Sequence, residues 1–212
     1  MLIAGGARKY NSEALLEIDF SRQMVGDTSI IDWSGKNPLS LAAGSAVVKD
    51  LSGIGRAMEF AGGTLFQTDQ PIDLSTDPMQ IDVVFQTYSP TYTQVVWCSG
   101  DYAQRIVGGL AHYALVGVGG HQLFATTSDG SYTRCSLGNS LQVFDLSIST
   151  DPENKKLIVK NNISNTIQNF DVPSWIGKGE RFSVGGSYVG GAQYAGLRGC
   201  IQKLIVSKRL DN

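Results

Sequence analysis

The chain has 212 residues, of which 25 are glycine and 17% are charged, against averages of about 7% glycine and about 25% charged residues in soluble domains. It carries 17 Lys and Arg and 19 Asp and Glu, for a net charge of −2. This balance excludes a nucleic-acid binder that works by displacing counterions from phosphates. The 42% of hydrophobic residues exclude an acidic disordered chain. The length fits a single all-β domain.

The N-terminal residues, MLIAGGARKYNSE, do not have the pattern of a secretory signal. A short apolar stretch precedes the basic residues, whereas a signal peptide has the reverse order and a longer apolar stretch. We therefore expect synthesis in the cytoplasm of the producing cell and no membrane insertion. Residues 1–12 are expected to form a flexible arm that orders against a partner. Residues 13–212 are expected to form one domain.

Alternating polarity predicts β-strands along most of the chain. Residues 79–88 alternate in this way, and residues 141–150 place Phe144, Leu146 and Ile148 on one face. Residues 151–156 (DPENKK) predict a hairpin turn, and residues 172–179 are the one short helix candidate. β-Branched content predicts further strands at 93–98, 113–119, 121–127, 155–162 and 199–208. Ten to fourteen short strands indicate a two-sheet antiparallel sandwich or a barrel.

The cysteines Cys98, Cys135 and Cys200 are odd in number and widely spaced. Their apolar surroundings predict buried free thiols, with one disulfide pair left open as the alternative. No Cys-x-x-Cys clip occurs, and His112 and His121 lack two further ligands at a usable spacing, so we expect no metal site. The glycine runs do not follow a strand and open a helix, so we expect no phosphate-bearing cofactor.

One sequence motif suggests catalysis at first sight. Glu17 and Asp19 alternate along a predicted strand, as in family 16 glucanases, which carry Glu-x-Asp followed by a second catalytic Glu. Ser21 and Arg22 occupy the positions of that Glu here, and retaining hydrolysis needs two carboxyl groups about 5 Å apart. We therefore expect no catalytic residues, with the two acids facing solvent and Leu16, Ile18 and Phe20 in the core.

Four segments together resemble the laminin-G-like, concanavalin A-like jelly-roll family. Residues 15–20 (LLEIDF) look like its opening strand, and residues 31–37 (IDWSGKN) are similar to its Asp-x-Ser-Gly-x-Asn turn. Residues 55–63 (GRAMEFAGG) look like its Gly-x-Ala-Leu-x-Phe-x-Gly segment. Residues 182–186 (FSVGG) and 197–210 resemble its closing strand. The resemblance implies a two-sheet antiparallel jelly-roll sandwich, that is, a concanavalin A-like fold.

The chain also departs from the family pattern. The usual Trp-His strand appears as residues 142–148 (QVFDLSI) without Trp-His, and the usual Leu-Tyr-Val-Asp-Gly hairpin appears as residues 157–162 (LIVKNN). Calcium-binding members use a loop carboxylate, and no such pattern can be placed here. The resemblance therefore implies a fold and assigns no ligand residue.

Because one fold hosts many functions, the sequence leaves two main hypotheses. The first is a structural protein of a bacteriophage particle, either capsid decoration or tail, located in the virion and binding other virion proteins and itself as a homo-oligomer. The alternative is a carbohydrate-binding, lectin-like adhesion module that binds cell-surface glycans, extracellular after non-classical release. A glycosidase with an unrecognised site is the remaining alternative.

Aromatic residues in the loops are the candidate ligand contacts, because their rings stack on the apolar faces of sugars. They lie in loops that contain glycine, serine or proline, and they are Tyr88, Tyr92, Tyr102, Tyr188 and Tyr194. The same loops suit the docking of a neighbouring subunit, since tyrosine is also enriched at protein interfaces.

Overall fold

The computed structural model describes residues 13–88, 94–99, 110–115, 120–126, 132–138, 142–172, 181–189, 192–194 and 196–209. These residues contain seventeen β-strands and a 3-10 turn at Phe20–Arg22. Among them, no helix has the length and apolar character needed to span a membrane. The predicted arm at residues 1–12 and nearly all of the predicted helix at residues 172–179 lie outside the described residues.

The first sheet, here called sheet A, contains eight of the described strands. Its strand β1 (Ala14–Asp19) pairs with one half of the last strand of the chain. The other seven lie side by side in the order β13 (Thr166–Asp171), β12 (Lys156–Asn161), β11 (Phe144–Asp151), β6 (Met79–Thr87), β17 (Arg198–Lys208), β4 (Gly55–Ala61) and β3 (Ala46–Leu51).

The second sheet, here called sheet B, contains seven of the described strands. They lie in the order β10 (Tyr132–Gly138), β9 (Gly120–Thr126), β8 (Leu110–Leu115), β7 (Gln94–Ser99), β14 (Arg181–Val184), β5 (Leu65–Pro71) and β2 (Leu39–Ala43). A separate hairpin consists of β15 (Ser187–Val189) and β16 (Ala192–Tyr194). All described pairings are antiparallel, which confirms the predicted antiparallel jelly-roll sandwich.

The strand predictions are confirmed where alternation is clear. Residues Met79–Thr87 of β6 alternate strictly between buried and half-buried, and Phe144, Leu146 and Ile148 of β11 are buried together. The predicted turn after residue 151 joins β11 to β12 as a hairpin. The prediction of ten to fourteen strands was wrong, because β14, β15 and β16 have only four, three and three residues. Such short strands give no readable alternation.

Strand β17 holds sheet A together, because three strands pair with it. Its first half, from Arg198 to Ile201, pairs with β4, and its second half, from Lys203 to Ser207, pairs with β1. On its other side it pairs with β6 along its whole length, with one bulge between Ile201 and Lys203. The opening and closing strands of the chain are therefore neighbours.

The core lies between the two sheets and is rich in phenylalanine. Phe60 of sheet A meets Phe66 of sheet B edge-to-face, with ring centroids 6.4 Å apart. Within sheet A, Phe85 stacks on Phe144 at 5.2 Å. Such aromatic pairs contribute about 0.5–1.5 kcal/mol beyond the burial of their area, and the Phe60–Phe66 contact joins the two sheets.

A carboxylate braces the segment that follows β1. Asp32 Oδ1 accepts hydrogen bonds from the backbone N–H groups of Glu17, at 2.9 Å, and Ser34, at 3.0 Å. Its Oδ2 accepts from the N–H of Asn37 at 2.7 Å, and the Asn37 side chain donates to Leu15 O at 2.7 Å. The Asp-x-Ser-Gly-x-Asn turn is therefore a structural clamp that closes onto the free edge of β1.

Three backbone segments cross in contact at one end of the sandwich. A Cβ added to Gly44 would overlap the carbonyl oxygen of Gly63, and a Cβ added to Gly196 would overlap the nitrogen of Gly63. Gly44 also has a φ of +72°, which an L side chain adopts only with strain. The crossing therefore requires glycine on both sides.

We predict that Gly44→Ala lowers the free energy of unfolding by about 3 kcal/mol or more, because it adds a backbone clash to the strain of positive φ. Gly53 is the matched control. It has a φ of +86° with no atom within 4 Å of the added Cβ, so Gly53→Ala should cost only about 1 kcal/mol. Urea unfolding measures both, and equal losses would contradict the role of the crossing.

We predict that Asp32→Ala lowers the free energy of unfolding by about 2 kcal/mol, because three backbone N–H groups lose their acceptor. Asp69→Ala is the control, since this exposed carboxylate accepts a single side-chain bond, from Ser40 Oγ at 3.2 Å. Its loss should cost less than about 0.5 kcal/mol. If the two variants unfold at the same urea concentration, the clamp is not the stabilising contact.

Candidate functional site

Tyr88 is an aromatic residue on the outward side of sheet A. It directly follows β6 and is 44% exposed. Its backbone N–H donates to Arg198 O at 2.9 Å, which ties the end of β6 to the beginning of β17. Because the core-facing residues of β6 include Phe85 and Thr87, the alternation of a strand places Tyr88 on the opposite, outer face.

A row of three side chains lies next to Tyr88 on the same face. Glu59 of β4 is the cross-strand partner of Cys200 of β17, and Cys200 is the partner of Gln86 of β6. The Tyr88 hydroxyl is within hydrogen-bonding reach of both the Cys200 thiol and the Glu59 carboxylate. The tyrosine side chain is therefore held at its polar tip.

The surroundings of the Tyr88 hydroxyl disfavour its ionised form. Burial of the hydroxyl raises the pKa of Tyr88 well above its usual range, and the Cys200 thiol and Glu59 carboxylate raise it further. Burial also raises the pKa of Cys200. Glu59 forms an ion pair with Lys49, whose side chain is 47% exposed. We call Lys49, Glu59, Gln86, Tyr88 and Cys200 the Tyr88 cluster.

Arg198 borders the cluster at the end of the sheet. It is exposed, and it lies opposite Ala61 on β4. Its Nε and side-chain carbons lie 3.1–3.7 Å from the position that a Cβ of Gly62 would occupy. Because Gly62 has no side chain, the Arg198 side chain can lie directly over the backbone there.

This surface combines groups of complementary chemistry. The ring of Tyr88 offers an apolar face, and the carboxylate of Glu59, the amide of Gln86 and the guanidinium of Arg198 offer directional hydrogen bonds. A ring that stacks on C–H groups, with planar polar side chains around it, suits a small ligand that carries many hydroxyl groups.

Of the other four tyrosines predicted as ligand contacts, two lie outside the described residues and two lie in a hairpin. Tyr92 and Tyr102 lie outside the described residues. Tyr188 and Tyr194 belong to the β15–β16 hairpin, where they pair with Gln193 and Ser187 and so are not cross-strand partners of one another. The hairpin begins just after Gly185, whose carbonyl accepts from the Leu197 N–H at 2.7 Å. Its base is therefore at the same end of the sandwich as Tyr88.

Tyr88 is among the ligand contacts predicted from the sequence, whereas the residues around it in the structure are not. Glu59, Gln86 and Arg198 come from three strands that are distant in the chain, and nothing in their local sequence separates them from ordinary surface residues. The one sequence signal for their place beside Tyr88 was the alternation of the strands, which puts Glu59 and Gln86 on the outward face.

The carboxylates of Glu17 and Asp19 make structural contacts with neighbouring residues. Leu16, Ile18 and Phe20 are buried as predicted, and Glu17 forms an ion pair with Arg22 at 2.8 Å. Asp19 caps the 3-10 turn by accepting from the N–H of Ser21 at 3.0 Å.

Trp33, which lies beside this motif, is covered on one face. The Arg22 guanidinium carbon lies 4.0 Å from the centre of its ring, and its indole N–H donates to Asp19 O at 3.3 Å. Tyr88, in contrast, is 44% exposed and has contacts at its hydroxyl and at its backbone N–H.

His121 lies in the core, and His112 belongs to strand β8. His121 is buried against Phe85 and Phe144, and its Nε2 lies 3.3 Å from Thr87 Oγ1. Backbone pairing places His112 opposite Leu123. Across the described residues, no group of three His, Cys, Asp or Glu side chains is arranged to hold a metal ion.

Comparisons with known proteins establish the fold. No family model and no curated protein sequence matches the chain. Among solved structures, domain 4 of AbnA, a GH43 extracellular arabinanase from Geobacillus stearothermophilus solved with arabinotriose, matches with a TM-score of 0.66 at 13% identity. That match covers 92% of each chain. The CBM40 of a Ruminococcus gnavus IT-sialidase, solved with α2,3-sialyllactose, matches at 0.54 and 18% identity over 74% of this chain and 91% of that one.

Botulinum neurotoxin type C, which depends on two ganglioside molecules to enter cells, is a third similar structure. It matches with a TM-score of 0.66 at 9% identity, over 94% of this chain and 49% of that chain. This chain therefore spans about half the length of that neurotoxin chain. At these identities the likeness shows the class of fold alone, a jelly-roll sandwich.

The three cysteines are buried, as predicted, and none of them is in a disulfide. Burial raises the pKa of Cys135 to about 12. We predict that none of the thiols reacts with a thiol-specific disulfide reagent in the native protein near neutral pH, because the reactive thiolate is scarce and shielded. In denaturant all three should react. A count of one in denaturant would indicate a disulfide pair, and rapid native labelling would contradict the burial.

Proposed function

We propose that this chain is a non-catalytic, carbohydrate-binding module that binds its ligand on the Tyr88 cluster. The observation that carries the proposal is the exposed ring of Tyr88, held by its hydroxyl beside Glu59 and Cys200 and bordered by Arg198. The ring would stack on the apolar face of a sugar, and Glu59, Gln86 and Arg198 would bind its hydroxyl groups.

The fold supports the same reading. Similar structures include a domain solved with arabinotriose, a module solved with α2,3-sialyllactose and a toxin that depends on gangliosides. These likenesses favour the lectin-like alternative from the sequence over the virion structural protein. The virion location, the virion partners and the extracellular alternative stay predictions from the sequence.

The composition of the cluster favours binding over hydrolysis. Glycoside hydrolysis generally uses two carboxyl groups on either side of the scissile bond. The Tyr88 cluster contains a single carboxylate, Glu59, and this group already pairs with Lys49. We therefore assign it a binding role.

The β15–β16 hairpin would extend the binding surface. Its base is fixed next to Leu197, one residue before Arg198, so Tyr188 and Tyr194 belong to a segment that starts beside the cluster. Tyr92 and Tyr102 stay predicted ligand contacts. The sugar that binds is to be identified by a glycan array.

We predict that Tyr88→Ala weakens binding of the best array glycan by about tenfold, because the loss of a stacked ring costs about 1 kcal/mol or slightly more. Tyr88→Phe should keep affinity within about threefold, because it retains the ring and removes only the hydroxyl that faces Glu59 and Cys200. Isothermal titration calorimetry with that glycan measures both variants.

The matched control is Leu41→Ala, which truncates an apolar side chain of similar exposure, 50%, on β2 of sheet B. It should leave the affinity unchanged, and thermal melts verify that all variants fold. Two outcomes would overturn the proposal: wild-type protein that binds no glycan on the array, or a Tyr88→Ala variant that binds as tightly as wild type.

A further inference from the structure

Strand β13 forms one edge of sheet A and is open to solvent. It pairs with β12 on one side, and no described residue pairs with its other side. Five of its six residues are exposed, and the Ile167 side chain is 62% exposed. An edge strand of this kind presents unpaired backbone N–H and C=O groups to any further strand.

The other sheet edges carry features that block such pairing. At β3, the N–H of Gly26 donates to Val48 O at 2.9 Å and the N–H of Val48 donates to Asp27 O at 2.8 Å, so a turn of the chain covers this edge. Edge strand β2 follows Pro38 and contains a bulge. Edge strand β10 contains a bulge and the exposed Arg134. Proline, bulges and charges are the usual protections of edge strands.

Strand β13 lacks these protections along its length. Its sequence, TIQNFD, contains no proline, and its pairing with β12 runs without a bulge from Asp171 to Thr166. Its only charge is Asp171, at the last position. The strand is therefore regular, exposed and nearly uncharged.

We propose that β13 is the interface for a second copy of this chain, which adds its own β13 antiparallel across a two-fold axis. Residues that face one another in a sheet must share a face, so the two-fold axis passes at a residue and not between two residues. The two residues at the middle of β13, where an axis leaves most of the strand paired, are Gln168 and Asn169. In the first register Ile167 faces the partner's Asn169, and in the second it faces the partner's Asp171. Neither register places two carboxylates opposite one another, so the strand is compatible with itself.

The association would draw on two kinds of contact. Backbone hydrogen bonds between the two strands supply the directional part, as in other cases of strand addition. Burial of Ile167 supplies the apolar part, since this side chain lies on the outer face opposite Lys160 of β12. In either register five residues of each β13 face the partner strand, so the contact is small and we expect a concentration-dependent dimer in the range of weak interfaces.

The test compares two aspartate substitutions by sedimentation equilibrium over a range of protein concentrations. Ile167→Asp removes the apolar side chain and brings a carboxylate near the partner's Asp171, directly opposite in one register and diagonal in the other, so it should raise the dissociation constant of the dimer by about tenfold or more. Ile163→Asp is the matched control, because Ile163 is equally exposed, at 63%, but lies in the turn before β13. It should leave the dissociation constant unchanged.

Hydrogen exchange provides a second measurement on wild-type protein. Backbone amides of β13 should exchange more slowly at high protein concentration than after dilution, whereas amides of the central strand β6 should not change. A wild-type protein that is monomeric at every concentration overturns the proposal. So does a dimer that both variants keep, or that both variants lose.

This interface is independent of the carbohydrate-binding proposal. Tyr88 follows β6, which is separated from β13 by β11 and β12. Tyr88→Ala should leave the dimer intact, and Ile167→Asp should leave glycan affinity per subunit unchanged, so the failure of one proposal is distinguishable from the failure of the other.

Discussion

The close crossing of backbone at Gly44, Gly63 and Gly196 is the constraint on which this end of the sandwich depends. Two of these glycines leave no room for a Cβ. The crossing lets the chain pass from β4 of sheet A into β5 of sheet B next to the segment that leads into β17. Because β17 pairs with β1, β4 and β6, the position of its first residue fixes the register of half of sheet A. The high glycine content of the sequence is thus partly a requirement of packing.

The Tyr88 cluster is built on this constraint. Arg198 and Cys200 are the first and third residues of β17, and the N–H of Tyr88 donates to Arg198 O. A shift of β17 by one residue would turn Cys200 into the core and break its contact with the tyrosine hydroxyl, since side chains of a strand alternate between faces. The Tyr88 cluster is therefore positioned by the paired strands β4, β17 and β6 and does not depend on loop conformation alone.

The sequence predicted the parts of the structure that depend on local pattern. Strict alternation identified β6 and β11, and the order of turn and strand motifs pointed to the jelly-roll fold. The pattern could not reveal that Glu59, Cys200 and Tyr88 meet, because their contact depends on the pairing of β4, β17 and β6. Nor could it reveal that Asp32 closes a clamp on β1, since a carboxylate in a turn looks the same whether it binds backbone or water.

Sheet A carries the Tyr88 cluster and the open edge strand on one continuous surface. A two-fold axis at β13 that continues the sheet keeps its outer faces on the same side, so the two Tyr88 rings of a pair would point in one direction. Such a dimer, with two sugar-binding surfaces, would bind weakly to a free sugar and strongly to a surface densely coated with that sugar, through avidity. The geometry of the sheet would thereby make the density of sugars as important as their identity.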